Sequence, residues 1–375
     1  MEQLLAKLVA MPTIAGDIAA NDLALDYLER FFSDRGMYIK RLNAGGFGSL
    51  VATIKPNVKK VKILLYAHVD VMPGSDDVFS LRRDGDRLYG RGTLDMKFAI
   101  AAYMQVIDTI KDTLHDYDFA IMITSDEELG GRDGVNGIEY LLQEGYRSEV
   151  CVMPDGGRAW DVEAVAKGFW RFDLVASGKS AHGSRPWEGD SASFKLIHAL
   201  HELRTYFKDH GPDTDTLNIG QIHGDGTYNQ IPSHMSAQVE IRLSTDDSYA
   251  RNETFVRSLC KKHHLTISPR GFSPLLYQDI KHPLVQAFME SITRQTGHQS
   301  RGCLSQAASD APYFNAVGIP CILTYLPGGG HHGEREWVSS RALSRMPLVV
   351  QDYLERNAVL VQPPMAPVDT DAALV

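Results

Sequence analysis

The sequence predicts an α/β fold with a mostly parallel central sheet, interrupted by a smaller α+β domain, and three observations predict it. Short apolar runs recur before residue 155 and again after about 275, each as long as a strand covered on both faces. Helix-spaced apolar residues separate them, which is the alternation that builds parallel sheets. From about 166 the texture changes to strict apolar–polar alternation, the mark of strands buried on one face only.

The elements follow in chain order. Leu25, Leu28, Phe31 and Phe32 recur at helical spacing within 21–34, and Gly36 follows as a stop. Val61 to Ala67, Phe119 to Thr124 and Glu149 to Met153 read as buried strands, with a helix from Gly137 to Gly145 between the last two. Trp170, Phe172 and Leu174 alternate with Arg171 and Asp173, and Met235, Ala237, Val239, Ile241 and Leu243 alternate with polar residues. Amphipathic helices fit 190–207 and 248–264. A helix near 283–296, a strand from Ile319 to Tyr325 and a final helix near 340–360 restore the α/β texture. The expected domains are 1–165 with 275–361, and 166–274 as the insertion. Residues 362–375, with Pro363, Pro364 and Pro367, read as a disordered tail.

The chain's 375 residues suggest two domains at roughly 150 residues each. Its 47 acidic against 38 basic residues give a net charge of −9, a surface that repels phosphate backbones, and no basic patch offsets it. Nucleic acid is therefore not an expected partner. No apolar run approaches the length of a membrane span, and the start, Met1 to Leu8, has an acidic residue where a signal peptide wants positive charge. The expected compartment is the cytoplasm, away from membranes. Cys151, Cys260, Cys303 and Cys321 lie far apart with no CxxC pair, which argues against disulfides or a thiolate metal site.

Five places put acids or histidines directly after apolar strands, where open α/β sheets build their sites. They are His68-Val69-Asp70; Gly90-Arg91-Gly92-Thr93-Leu94-Asp95-Met96-Lys97; Ser125-Asp126-Glu127-Glu128; Asp155-Gly156-Gly157; and Gly328-Gly329-Gly330-His331-His332-Gly333-Glu334-Arg335-Glu336. Each alone has an ordinary reading, as a core histidine, a solvated acidic loop or a flexible glycine turn. Together, two histidines and three carboxylates at strand ends of one sheet make an N/O ligand set suited to two zinc ions. A carboxylate between two cations bridges them, and a two-metal clamp is a recognised hydrolytic device.

In this order the motifs resemble the M20 metallopeptidase family, which includes succinyl-diaminopimelate desuccinylase, acetylornithine deacetylase, carboxypeptidase G2-like enzymes and zinc dipeptidases. The resemblance covers about residues 1–360. It implies a zinc-peptidase-like catalytic domain with an inserted lid and dimerisation domain, two Zn²⁺ per subunit with Co or Mn as substitutes, and a homodimer formed through 166–274. It also implies that His68 and Asp155 hold one ion, Glu128 and His332 the other, and that Asp95 bridges them. Asp70 would accept the far N–H of His68, and Glu127 would be the general base. His332 is preferred to His331 because Glu336 then falls four residues later. The Asp95–Met96 peptide is a candidate cis bond. In the insertion, Gly178-Lys179-Ser180-Ala181-His182-Gly183 carries the family's lid histidine, His182, which reaches the partner's active site to polarise the scissile carbonyl. Asn229 and Arg242 match residues that bind a substrate carboxylate, and Gly329 and Gly330 are counted as substrate-binding positions.

The expected activity is hydrolysis of short peptides or N-acyl amino acids with a free carboxylate. Asp at position 155 inclines the reading toward a peptidase. The alternatives are a biosynthetic deacylase of the desuccinylase or deacetylase kind, and a catalytically silent peptide-binding homologue. The sequence departs from the family in a short His68–Asp95 interval of 27 positions, in Ser75 to Phe79, in Phe98 and in Arg335. None of these removes a ligand, and the first two bear on the substrate pocket.

Overall fold

The computed structural model describes residues 1–129, 137–208, 211–306 and 309–360. The expected tail at 362–375 lies outside the described residues. The chain divides into two compact units. The first comprises Met1–Glu163, Gln278–Cys303 and Ser309–Val375, and the second Ala164–Tyr277 with Leu304–Ala308.

The first unit is built on a six-stranded sheet. Its order is Tyr38–Ala44, Phe47–Thr53, Phe119–Thr124, Lys60–His68, Arg147–Val152 and Cys321–Ile322. The last four strands run parallel, with His68 opposite Thr124 and Leu65 opposite Val152. The first two form an antiparallel hairpin at one edge. The central strands are apolar at nearly every position because both faces are covered; Phe119–Thr124 is buried throughout. The Ile18–Ser33 helix starts where the Asp17 carboxylate accepts from the Ala20 amide at 3.0 Å. The Lys97–Ile110 helix buries almost its whole surface, and its first residue points Nζ back to the carbonyls of Leu8 and Met11 at 3.0 and 2.8 Å. That places an ammonium at the C-terminal end of the Glu2–Val9 helix, where carbonyl dipoles favour it.

One sequence expectation fails here. Only Cys321 and Ile322 of the apolar run 319–325 join the sheet. Beyond them the carbonyls of Leu323 and Tyr325 accept from the amides of Glu163 and Trp160, at 2.9 and 2.8 Å. The 160–163 segment, which runs into the short Val162–Ala166 strand outside this sheet, satisfies that backbone. A second small antiparallel sheet, Gly328–Gly329, Trp337–Ser339, Arg87–Tyr89 and Arg82–Asp84, brings the two glycine-bounded motifs together although about 240 residues separate them.

The second unit is a four-stranded antiparallel sheet in the order Thr216–Gly224, His234–Leu243, Gly168–Ser177 and Leu265–Ser273. The Ala192–Tyr206 and Ser248–His263 helices pack on one face, over Trp170, Phe172, Leu174, Ala237, Val239 and Ile241. The alternation leaves Phe169, Arg171, Asp173, Glu240 and Arg242 on the other face. Among the described residues, no helix is long and apolar enough to cross a membrane.

Candidate functional site

Three adjacent parallel strands end at the same edge and deliver the chemistry. His68 closes the middle strand, Glu127 and Glu128 follow Phe119–Thr124, and Asp155 follows Arg147–Val152. The remaining donors arrive on the two glycine-bounded loops. Glu336 joins these loops: its carboxylate accepts from the amides of Gly92, Leu94 and Asp95 at 3.0, 2.8 and 3.1 Å, and from Arg91 Nη1 at 3.0 Å. Arg91 Nη2 donates to the carbonyls of Pro73 and His332. Arg91 and Glu336 are each 2% exposed, so this buried pair holds the Asp95 turn and the His332 turn together. The Asp95–Met96 peptide is cis, and His332 has a φ of +57°, a left-handed conformation that histidine adopts more readily than most residues.

The ring nitrogens converge on Asp95. His68 Nε2 lies 3.1 Å from its Oδ1, and His331 and His332 Nε2 lie 2.8 and 3.0 Å from its Oδ2. His332 Nε2 is also 3.2 Å from Glu128 Oε2. The donor atoms fall into two groups, Asp95, His331 and His332, and His68, Glu127 and Asp155, each with its atoms within 4.8 Å of one another. Asp95 touches both.

The site is electrostatically unsettled as a set of protons alone. Burial, with Asp95 close by, pushes the Asp155 carboxyl up to about 7, and burial beside Asp155 raises Glu127 well above the usual carboxylate range. Hydrogen bonds to Asp95 and then Glu128 push His332 up to about 10. Burial works to raise Asp95, but the three imidazoles hold it well below its ordinary value. Asp155 Oδ1 accepts from the Tyr325 hydroxyl at 2.8 Å, while its buried Oδ2 has no partner. Carboxylates forced toward neutrality, imidazole nitrogens aimed at a carboxylate and one orphaned buried oxygen are what a pair of divalent cations resolves. The donor set, all N and O, fits them.

Two expected details differ. His68 Nδ1 donates to the main-chain carbonyl of Asp70 at 2.9 Å, whereas the Asp70 carboxylate is 3.6 Å away. That carboxylate instead accepts from the amides of Glu127 and Glu128, at 3.4 and 3.0 Å, and so fixes the turn that presents them. His331, set aside in favour of its neighbour, reaches the same Asp95 oxygen as His332. The adjacent histidine pair was the available signal. Gly330, at φ +75°, has no room for a Cβ, which would meet the Arg335 carbonyl at 2.2 Å; Gly329 lies against Trp337.

The other named residues belong to the second unit. His182 is exposed, with Nδ1 2.8 Å from Ser184 Oγ, and it bridges to Gln230 beside Asn229. The Gly183 amide donates to the Asn229 carbonyl, which keeps the two motifs adjacent. Arg242 Nε donates to Glu240 at 2.8 Å, and its Nη1 is buried without a partner.

The family model of peptidase family M20/M25/M40 matches residues 64–356. This chain belongs to that family. It is 28% identical over 321 residues to a succinyl-diaminopimelate desuccinylase of Cupriavidus pinatubonensis, covering 79% of this chain and 82% of that protein. A namesake from Burkholderia lata is 28% identical over 316 residues, covering 79% and 83%. The fold is shared with a Staphylococcus aureus tripeptidase (TM-score 0.75, 21% identity, 95% and 97% covered) and human carnosine dipeptidase 1 (0.73, 15%, 94% and 95%). The chain is thus an M20 metal-dependent hydrolase, and its two candidate donor groups draw on the carboxyl ends of the parallel strands and on the two glycine-bounded loops.

Proposed function

We propose that this M20 enzyme cleaves the amide bond of short peptides or N-acyl amino acids bearing a free carboxylate, using two zinc ions. The observation that carries the reading is Asp95, a 4%-exposed carboxylate facing imidazoles of both donor groups. His68 and Asp155 would hold one ion and Glu128 and His332 the other, with Asp95 between them. Bound divalent ions supply Lewis acidity, making a water more acidic and a carbonyl more electrophilic.

The rest is done by the chain's own groups. Glu127 takes the proton of the attacking water and returns it to the leaving amine nitrogen. Asp70 holds that carboxylate in place through the turn amides. Arg242 and Asn229 bind the substrate carboxylate, Gly329 and Gly330 lie along its backbone, and His182 polarises the scissile carbonyl. Asp at position 155 favours a peptidase within this family; the desuccinylase relatives favour a deacylase. A panel of dipeptides and of N-acetyl and N-succinyl amino acids, assayed with zinc, cobalt or manganese, separates the two. Free amine released from at least one class and abolished by a chelator is the expected result. Two bound metal equivalents with no amine released from any member would make the protein a silent peptide binder.

His182 is proposed to act across a homodimer built through the second unit. Glu127→Ala and His182→Ala homodimers should each be nearly inactive. Mixed and re-associated, about half the dimers become hybrids with one intact composite site, so roughly a quarter of wild-type activity should return. Confirmed subunit exchange without recovered activity would mean that His182 acts within its own chain or not at all.

A further inference from the structure

The face of the second unit's sheet opposite its helices carries more positive charge than one substrate carboxylate needs. Arg171 stands directly opposite Glu240, and Arg242 opposite Phe169, on neighbouring antiparallel strands. One Glu240 oxygen accepts from Arg171 Nε at 2.5 Å and the other from Arg242 Nε at 2.8 Å. Each guanidinium has five N–H donors, and among the described residues neither hydrogen-bonds through its side chain to anything else. Both are therefore held by the Nε edge; the Nη1/Nη2 fork of the half-exposed Arg171, the edge that grips a carboxylate end-on, is open, whereas Arg242 keeps its Nη1 buried. The Phe169 ring lies under both, 4.5 Å from the Arg171 guanidinium carbon and 5.9 Å from that of Arg242.

The neighbouring ion pair on this face shows the contrast. Arg270 gives both Nε and Nη2 to one Asp173 oxygen, so the guanidinium there has a carboxylate to itself. At Glu240 one carboxylate serves two guanidiniums and leaves a net positive charge, on a chain whose overall charge is −9. The buried, unpartnered Nη1 of Arg242 adds a donor that lacks an acceptor. An exposed Arg171–Glu240 pair would by itself be an ordinary surface contact of about 0–1 kcal/mol; the anchoring of two guanidiniums on one carboxylate, with the Arg171 fork left open, is what sets this one apart.

We propose that Arg171 forms a second anion subsite beside Arg242, so that the preferred substrate carries two carboxylates. Glu240 is the positioning residue for both. The inference rests on the reading that Arg242 takes the substrate carboxylate, and it narrows the substrate class to dicarboxylates. The second acid has two sources, the side chain of an acidic leaving residue or the distal carboxylate of a dicarboxylic acyl group.

Isosteric pairs distinguish these sources: Ala-Glu against Ala-Gln, and N-succinyl-alanine against its succinamyl amide. In one pair the charged member should have a kcat/KM at least about tenfold higher, and Arg171→Gln should bring that ratio to within about twofold of one. The pair that responds identifies the source. Hydrolysis without charge preference in either pair, or a preference that survives Arg171→Gln, overturns the inference while leaving the hydrolase reading intact. Calorimetric titration of glutarate and its monoamide into the metal-loaded protein gives a readout that needs no turnover. Glutarate should bind at least about tenfold more weakly to Arg171→Gln than to wild type, and equal affinity overturns the proposal even if no substrate is cleaved.

Discussion

Glu127→Gln should lower kcat by roughly 10²–10⁴-fold while leaving the fold and the metal content unchanged. The amide has the shape of the carboxylate but cannot accept the proton of the attacking water. The turn that presents the residue should survive, because Asp70 grips the main-chain amides of Glu127 and Glu128 and not the Glu127 side chain. The loss should fall on kcat and not on KM, as expected of a group whose contribution is made in the transition state. Steady-state kinetics, metal analysis and a thermal melt on the same preparation check all three parts. Wild-type turnover in this variant would move the base to another carboxylate, with Asp126, buried one residue away, the first to examine.

Asp95→Ala should lose both ions, whereas His332→Ala should leave one site partly occupied. The difference follows from geometry. The Asp95 carboxylate faces His68 on one side and His331 and His332 on the other, while among the described residues the His332 Nε2 pairs with Asp95 and Glu128. Truncating Asp95 should not dismantle its loop, because Glu336 holds the loop through main-chain amides that the substitution leaves in place. Metal analysis after gel filtration gives the answer, and two full equivalents in Asp95→Ala would remove this residue from the bridging position.

Local periodicity carried most of the fold. The helices at Ala192–Tyr206, Ser248–His263 and Pro283–Thr296 and the His234–Leu243 strand lie where apolar spacing puts them, since each buries one face against a core that spacing alone reveals. The run 319–325 was not legible because it is as apolar as a strand, yet the carbonyls of Leu323 and Tyr325 are claimed by residues 160–163, about 160 residues earlier. Nothing local records that. The candidate site shows the same division. Acids and histidines at strand ends could be read directly, but not that the Asp70 carboxylate would turn to two amides and leave His68 to its own carbonyl. Glu336 entered the sequence argument only as a spacing marker for His332. Its work on Gly92, Leu94 and Asp95 depends on partners 241 to 244 residues away, brought near by a small sheet whose strands are two or three residues long. Strands that short leave no periodic trace.

That long reach also sets a timetable for biogenesis. A ribosome adding about 5–20 residues per second makes Asp95 roughly 10–50 s before Glu336. In that interval the whole of Ala164–Tyr277 is synthesised, so the antiparallel sheet of the second unit has most of its partners while the first unit still lacks the carboxylate that fastens its acidic loop. The candidate metal centre therefore receives its last donors after Ala164–Tyr277 has been made, with the Ser340–Asn357 helix still to follow. A nascent or truncated chain ending before residue 332 presents His68, Asp95 and Glu128 without His332 and without the carboxylate that fastens the Asp95 loop, since both arrive only with a contact of very long sequence separation.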